Sequence, residues 1–194
     1  MSTFTIVGVI VGLITFIPLC IGIYTKSIKQ NPTTWILWAA LDAVSAASIM
    51  YRGGNWLLPF AYSVASAITC VFILKSKNPI SWTWFETMIA TFVLICLIVW
   101  GTSGARVATI ASSLALFGAG IPQLIDFIKR PWENSFLVYF FCTIANILVA
   151  LGGKDWSVEE RFYPTTALIY TTLVVIATSQ KFFNKPGPKK VCVG

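Results

Sequence analysis

The chain has 194 residues, of which 57% are hydrophobic and only 11% charged, with a mean hydropathy of +0.79. Soluble domains carry about a quarter of their residues as charges, so this composition excludes an ordinary soluble domain and indicates an integral membrane protein. The net charge of +7 would by its sum suggest nucleic acid, but it is the placement of the charges that carries the information.

A spanning helix needs about 20 mostly apolar residues, and seven segments meet that requirement, near 4–25, 33–51, 56–75, 82–100, 105–128, 135–152 and 162–180. The first lacks the basic n-region and small-residue cleavage site of a signal peptide, so it is expected to be retained; Pro18 lies inside it. The second reads TWILWAALDAVSAASIMY and holds Asp42 at its middle. A charge at that depth costs a few kcal/mol (about 2.5–3.5 on insertion scales) and is a functional candidate by default. Trp35, Trp38, Asp42 and Ser45 recur at helical spacing and share one face. The tryptophans suit either a binding face or an interfacial aromatic belt. Pro59 stands near the start of the third segment, and Glu86 near the start of the fourth, where a helix N-terminus favours an acid. The fifth contains Gly118, Gly120, Pro122, Gln123 and Asp126. Asp126 is expected to pair locally with Lys129 or to form a gate at the inner lip. The sixth presents Tyr139, Cys142 or Thr143, and Asn146 on one face, and the seventh has Pro164 near its start.

Lys26, Lys29, Lys75, Lys77, Lys129, Arg130, Lys181, Lys185, Lys189 and Lys190 fall on one side of a seven-helix arrangement, and only Arg52, Arg106, Lys154 and Arg161 on the other. This asymmetry predicts a cytoplasmic C-terminus and an outward N-terminus. The short loops fit a bacterial inner membrane and equally an organelle. Four cysteines (Cys20, Cys70, Cys96, Cys142) lie in apolar segments and Cys192 in the basic tail, which is no disulfide framework.

The segments pair at a fixed offset. Pro18 maps to Pro122, Lys26 to Arg130, Trp35 to Tyr139 and Asp42 to Asn146, each 104 residues on, and Pro59 maps to Pro164 at 105. Three segments are therefore repeated and the fourth is left as a connector, which predicts two parallel three-helix units joined by one helix (3+1+3). The expected division is a first bundle over 1–75, a connector over 76–103, a second bundle over 104–181 and a basic cytoplasmic tail over 182–194. Pro122-Gln123, followed by Lys129-Arg130 and Asn134-Ser135, resembles the PQ-loop signature, and the 3+1+3 plan resembles the wider PQ-loop and SWEET-like (MtN3) superfamily. Leu19 stands where the first copy's glutamine would be, and the third and seventh segments lack the pocket asparagine of sugar carriers.

The resemblance implies a transporter that moves a small polar solute (a sugar, amino acid, amine or cofactor precursor) by alternating access, passively or coupled to protons. Pro18, Pro122 and Gln123 would act at the hinges. Substrate would meet Asp42, Asn146, Trp38, Trp35, Tyr139, Ser45 and Cys142 where the repeats face each other near the midplane. With no lysine or arginine at its depth, Asp42 is the group that would carry a proton. A homo-oligomer is compatible with this plan. The competing class is a non-transporting receptor or assembly subunit of the same fold, and a channel is a third. An enzyme is not expected: Gly101-Thr102-Ser103-Gly104 has the form of a serine-protease motif, but the chain has no histidine to partner the serine. The last segment has no central lysine for a retinal Schiff base, and neither a metal set nor a phosphate loop is present, so no cofactor is expected.

Overall fold

The computed structural model describes residues 2–27, 30–76, 80–129 and 135–183, with the side chains of Asp126 and of residues 180–183 outside the described set. The Asp126 gate, Arg130 and Asn134 of the PQ-loop signature, Cys192 and the tail from 184 onward therefore lie outside the described residues. Among the described residues the chain is all helix: α1 Thr3–Ile14, α2 Phe16–Tyr24, α3 Pro32–Tyr51, α4 Leu57–Lys75, α5 Trp84–Ser103, α6 Ala105–Lys129, α7 Ser135–Leu151 and α8 Val158–Phe183. Counting α1 and α2 as one span, six helices are long and apolar enough to cross a membrane, and α7 is a shorter apolar helix. The protein is a multi-pass helical membrane protein.

Local chemistry sets the boundaries. Asn31 caps α3 through its side chain, with Pro32 in the first turn, where its missing N–H costs nothing. Thr83 and Glu86 form a capping box at the start of α5. Gly104, at φ +85, turns α5 directly into α6, a conformation that suits glycine alone. The first segment, expected as a single helix, is broken at Thr15. Pro18 has no N–H and its ring crowds the carbonyl of Ile14. The Thr15 backbone N–H turns instead to Gly12 and Leu13, and its hydroxyl donates to the Gly12 carbonyl at 2.5 Å. Pro122, the expected counterpart of Pro18, leaves α6 continuous. The two proline sites are therefore locally unlike.

The helices pack in a ring. α4 lies between the α1/α2 segment and α3, and α8 lies between α6 and α7. The ring closes where α1 meets α7 and where α3 meets α6, while α5 packs outside against α3 and α6. Small residues allow the closest approach. A Cβ on Gly8 of α1 would meet Val149 Cγ2 at 2.7 Å and the Ala145 carbonyl at 2.8 Å on α7. On the other seam, the Ser45 hydroxyl donates to Ser112 at 2.7 Å and Ser48 bonds Thr109 at 2.9 Å. Without a hydrophobic drive between helices in lipid, such small-residue contacts and hydroxyl bonds supply the association. One apolar cluster spans most of the ring: Val9 of α1, Ile49 of α3, Leu58 and Ala61 of α4, Val149 of α7 and Tyr163 of α8.

Candidate functional site

Asp42 sits at the centre of α3 and is 4% exposed. Its partner comes from the far end of the sequence: the Tyr163 hydroxyl, 121 residues away on α8, donates to Asp42 Oδ1 at 2.6 Å. Tyr163 is itself 2% exposed and belongs to the apolar cluster that crosses the ring. Tyr163 was not among the sequence-level candidates. Its one local signal was a polar ring tip beside Pro164 at the start of the last segment, a position that reads equally well as an interfacial anchor.

Four buried side-chain atoms among the described residues have no hydrogen-bond partner: Trp38 Nε1, Tyr62 Oη, Asn146 Oδ1 and, at the arginine end, Asn55 Oδ1. Trp38 is one turn from Asp42 on the same helix face. Tyr62 of α4 lies within electrostatic range of both Asp42 and Cys142. Asn146 is fully buried and spends its amide N–H₂ on the Cys142 carbonyl at 2.9 Å, leaving its own carbonyl oxygen free. Cys142 also bonds Thr15 at 3.1 Å, so the break in the first span abuts this region. Buried polar groups are nearly always satisfied, because each orphan forfeits a hydrogen bond worth about 1–3 kcal/mol. Trp38, Tyr62 and Asn146 thus hold unused hydrogen-bonding capacity in the buried interior.

The expected residues divide between this region and helix packing. Asn146 and Cys142 are joined by a hydrogen bond, Tyr62 lies within electrostatic range of both Asp42 and Cys142, and Trp38 packs against the cluster of Leu41, Val44 and Ile89 on α3 and α5. Tyr139 meets Tyr170 with ring centroids 6.4 Å apart and Phe127 at 5.1 Å, and it too lies within electrostatic range of Tyr62 and Cys142. Asp42 and Asn146, expected as counterparts, bond to Tyr163 and Cys142 rather than to each other. Trp35, 5% exposed, packs into the cluster of Leu19, Ile23, Cys70 and Ile73 between α2, α3 and α4, and donates to Gln30 at 3.2 Å. Its ring still touches Trp38, with centroids 5.5 Å apart. Ser45 is used in the α3–α6 seam. Gln123 accepts from the Tyr170 hydroxyl at 3.1 Å, and the same hydroxyl reaches the Gly120 carbonyl at 3.2 Å, tying α8 to α6 one turn from Pro122.

The two ends of the ring are built differently. At the end that carries the arginines, Glu159 of α8 takes Arg106 of α6 at 2.8 and 3.3 Å and Arg52, at the end of α3, at 3.4 Å. Its backbone carbonyl accepts from Asn55 N–H at 3.1 Å, and Asn55 Nδ2 reaches Thr5 on α1 at 3.1 Å. Ser2 donates to the Gly152 carbonyl at the end of α7. Gly54 presses so closely that a Cβ there would meet the Glu159 carbonyl at 2.5 Å. Five helices of the ring and the α3–α4 connection are thus laced together at this end. Among the described residues of the lysine end, buried Glu86 of α5 accepts from Asn31 and Thr34, each at 2.7 Å, fixing α5 to α3. Glu86 therefore does more than complement a helix dipole.

No family model matches the chain, and no curated protein or solved structure matches it.

Proposed function

We propose that the chain is a membrane transporter that carries a small polar solute by alternating access between two three-helix bundles. The first is α1/α2 with α3 and α4, the second is α6, α7 and α8, and α5 is the connector, as in the PQ-loop and SWEET-like carriers the sequence resembles. The packing supports this division: the middle helix of each triplet is its third in sequence, and the triplets meet through two equivalent seams, α1 with α7 and α3 with α6. Transporters of repeated design hold their solute near the midplane at the junction of the repeats.

The observation that carries the reading is a buried carboxylate of the first triplet, Asp42, bonded by Tyr163 of the second, with unbonded polar atoms on α3, α4 and α7. Such atoms leave hydrogen-bonding capacity for a solute. With the lysine-rich side cytoplasmic, as the charge asymmetry predicts, the laced arginine end would face outward. Asp42 is the group through which protons would be coupled.

Solute flux into proteoliposomes holding the purified chain tests this. Saturable uptake that is lost in Asp42→Asn, at unchanged expression, is expected. No flux over a broad solute panel, together with stable capture of a membrane partner, refutes it in favour of a receptor or assembly subunit.

A further inference from the structure

Resting on that reading of the site, we infer that the solute is a small organic cation, an amine or quaternary ammonium that bears no carboxylate of its own. Charge balance is the first reason. Asp42 is the one acid at mid-depth, and every lysine and arginine of the sequence lies at a helix end or in a connection. Among the described residues Asp42 has no ion pair, its bond being to the neutral Tyr163 hydroxyl. A neutral sugar would leave that carboxylate, once ionised, without a counter-charge in a medium where isolated charge is costly. An amino acid would neutralise it but would bring a second carboxylate that has no cation to meet. A simple amine or ammonium ion does neither.

The second reason is the wall. Tyr163 bonds the carboxylate and Tyr62 lies within electrostatic range of it, from α8 and α4, and aromatic faces attract ammonium groups, most of all where water is excluded. The third is the chemistry of the orphans. Asn146 Oδ1 can only accept, so it suits an N–H or hydroxyl of the solute. Trp38 Nε1 can only donate, so it suits an oxygen on the same molecule. An ammonium that carries a hydroxyl a few bonds away would engage Asp42, the rings and Trp38 at once.

The test is equilibrium binding to the full-length chain in lipid nanodiscs, read by tryptophan fluorescence, with choline, ethanolamine, tetramethylammonium, glycine and glucose as probes. Choline and ethanolamine should bind, glycine and glucose should not, and Asp42→Asn should weaken the amines by about tenfold or more. Trp38→Phe removes the donor, so it should erase the preference for choline over tetramethylammonium, with circular dichroism and monodisperse elution of both variants reporting a folded protein. Binding of glucose or glycine in preference to the amines overturns the inference, as does absence of any amine binding or amine binding indifferent to Asp42→Asn. Flux separates the two readings: amine binding without transport in proteoliposomes refutes the transporter and leaves the ligand class standing, whereas saturable transport of a neutral solute alone refutes the ligand class and leaves the transporter.

Discussion

Replacing Tyr163 by phenylalanine removes one oxygen from the middle of the protein and leaves the ring that packs against Leu58, Ile49 and Val149. What is lost is the 2.6 Å bond to Asp42, between groups 2% and 4% exposed. Hydrogen bonds to charged groups contribute about 1.5–3 kcal/mol in soluble proteins, whereas side-chain bonds between membrane helices average about 0.6 and reach about 1.7 kcal/mol. A short bond to a carboxylate belongs near the top of the membrane range, so a pairwise coupling of about 1.5 kcal/mol is expected. A double-mutant cycle of Tyr163→Phe and Asp42→Ala, measured by reversible detergent-induced unfolding, isolates it. A coupling below about 0.5 kcal/mol would mean that the two sites behave independently, and the account of Asp42 as a held carboxylate would be wrong.

Other substitutions probe the frame. Gly54→Ala drives a methyl into the Glu159 backbone and should destabilise by about 1–3 kcal/mol, whereas Gly101→Ala, with nothing within 4 Å, serves as a silent control in the same unfolding assay. Arg106→Ala should loosen the laced end more than Arg52→Ala, because Arg106 makes two contacts with Glu159 and the shorter of the ion pairs; equal rates of labelling at a cysteine placed at residue 55 in the two variants would contradict this. Pro18→Ala restores an N–H opposite Ile14 and should raise hydrogen-exchange protection across residues 15–18; unchanged protection would place the cause of the break elsewhere. Glu86→Ala removes the capping box and the bonds to Asn31 and Thr34, and a loss of about 1–2 kcal/mol in unfolding free energy is expected.

Much of the frame was legible in the sequence because lipid imposes a simple rule on length and polarity. The helices lie where unbroken apolar runs put them, and α8 starts at Val158, earlier than the apolar run suggested, because Glu159 and Glu160 are absorbed into its first turn. The prominence of Asp42 was also legible, since a charge at that depth cannot hide in the composition. Its partner was not, because Tyr163 reaches it through a contact that no periodicity within one helix encodes. Trp35 and Trp38 illustrate the same limit. They share a helix face on a wheel, yet α2 and α4 cover one while the other is left with an unbonded N–H, and that choice depends on how neighbouring helices are seated. The unlike behaviour of Pro18 and Pro122 was hidden for a related reason: proline specifies a missing donor, and the surroundings decide whether the helix parts or bends.

Tyr163 stands in two places at once, in the apolar cluster behind the laced end and against the carboxylate of the site. On the proposed reading, a cation drawn to Asp42 would compete for the oxygen that Tyr163 holds, so occupying the site and loosening the cluster would draw on one free energy. Linkage makes the exchange reciprocal: whatever factor the solute takes from the closure, the closure takes from the affinity for the solute. Variants that tighten the outer end, with no contact to the solute, should then bind it more weakly by the same factor.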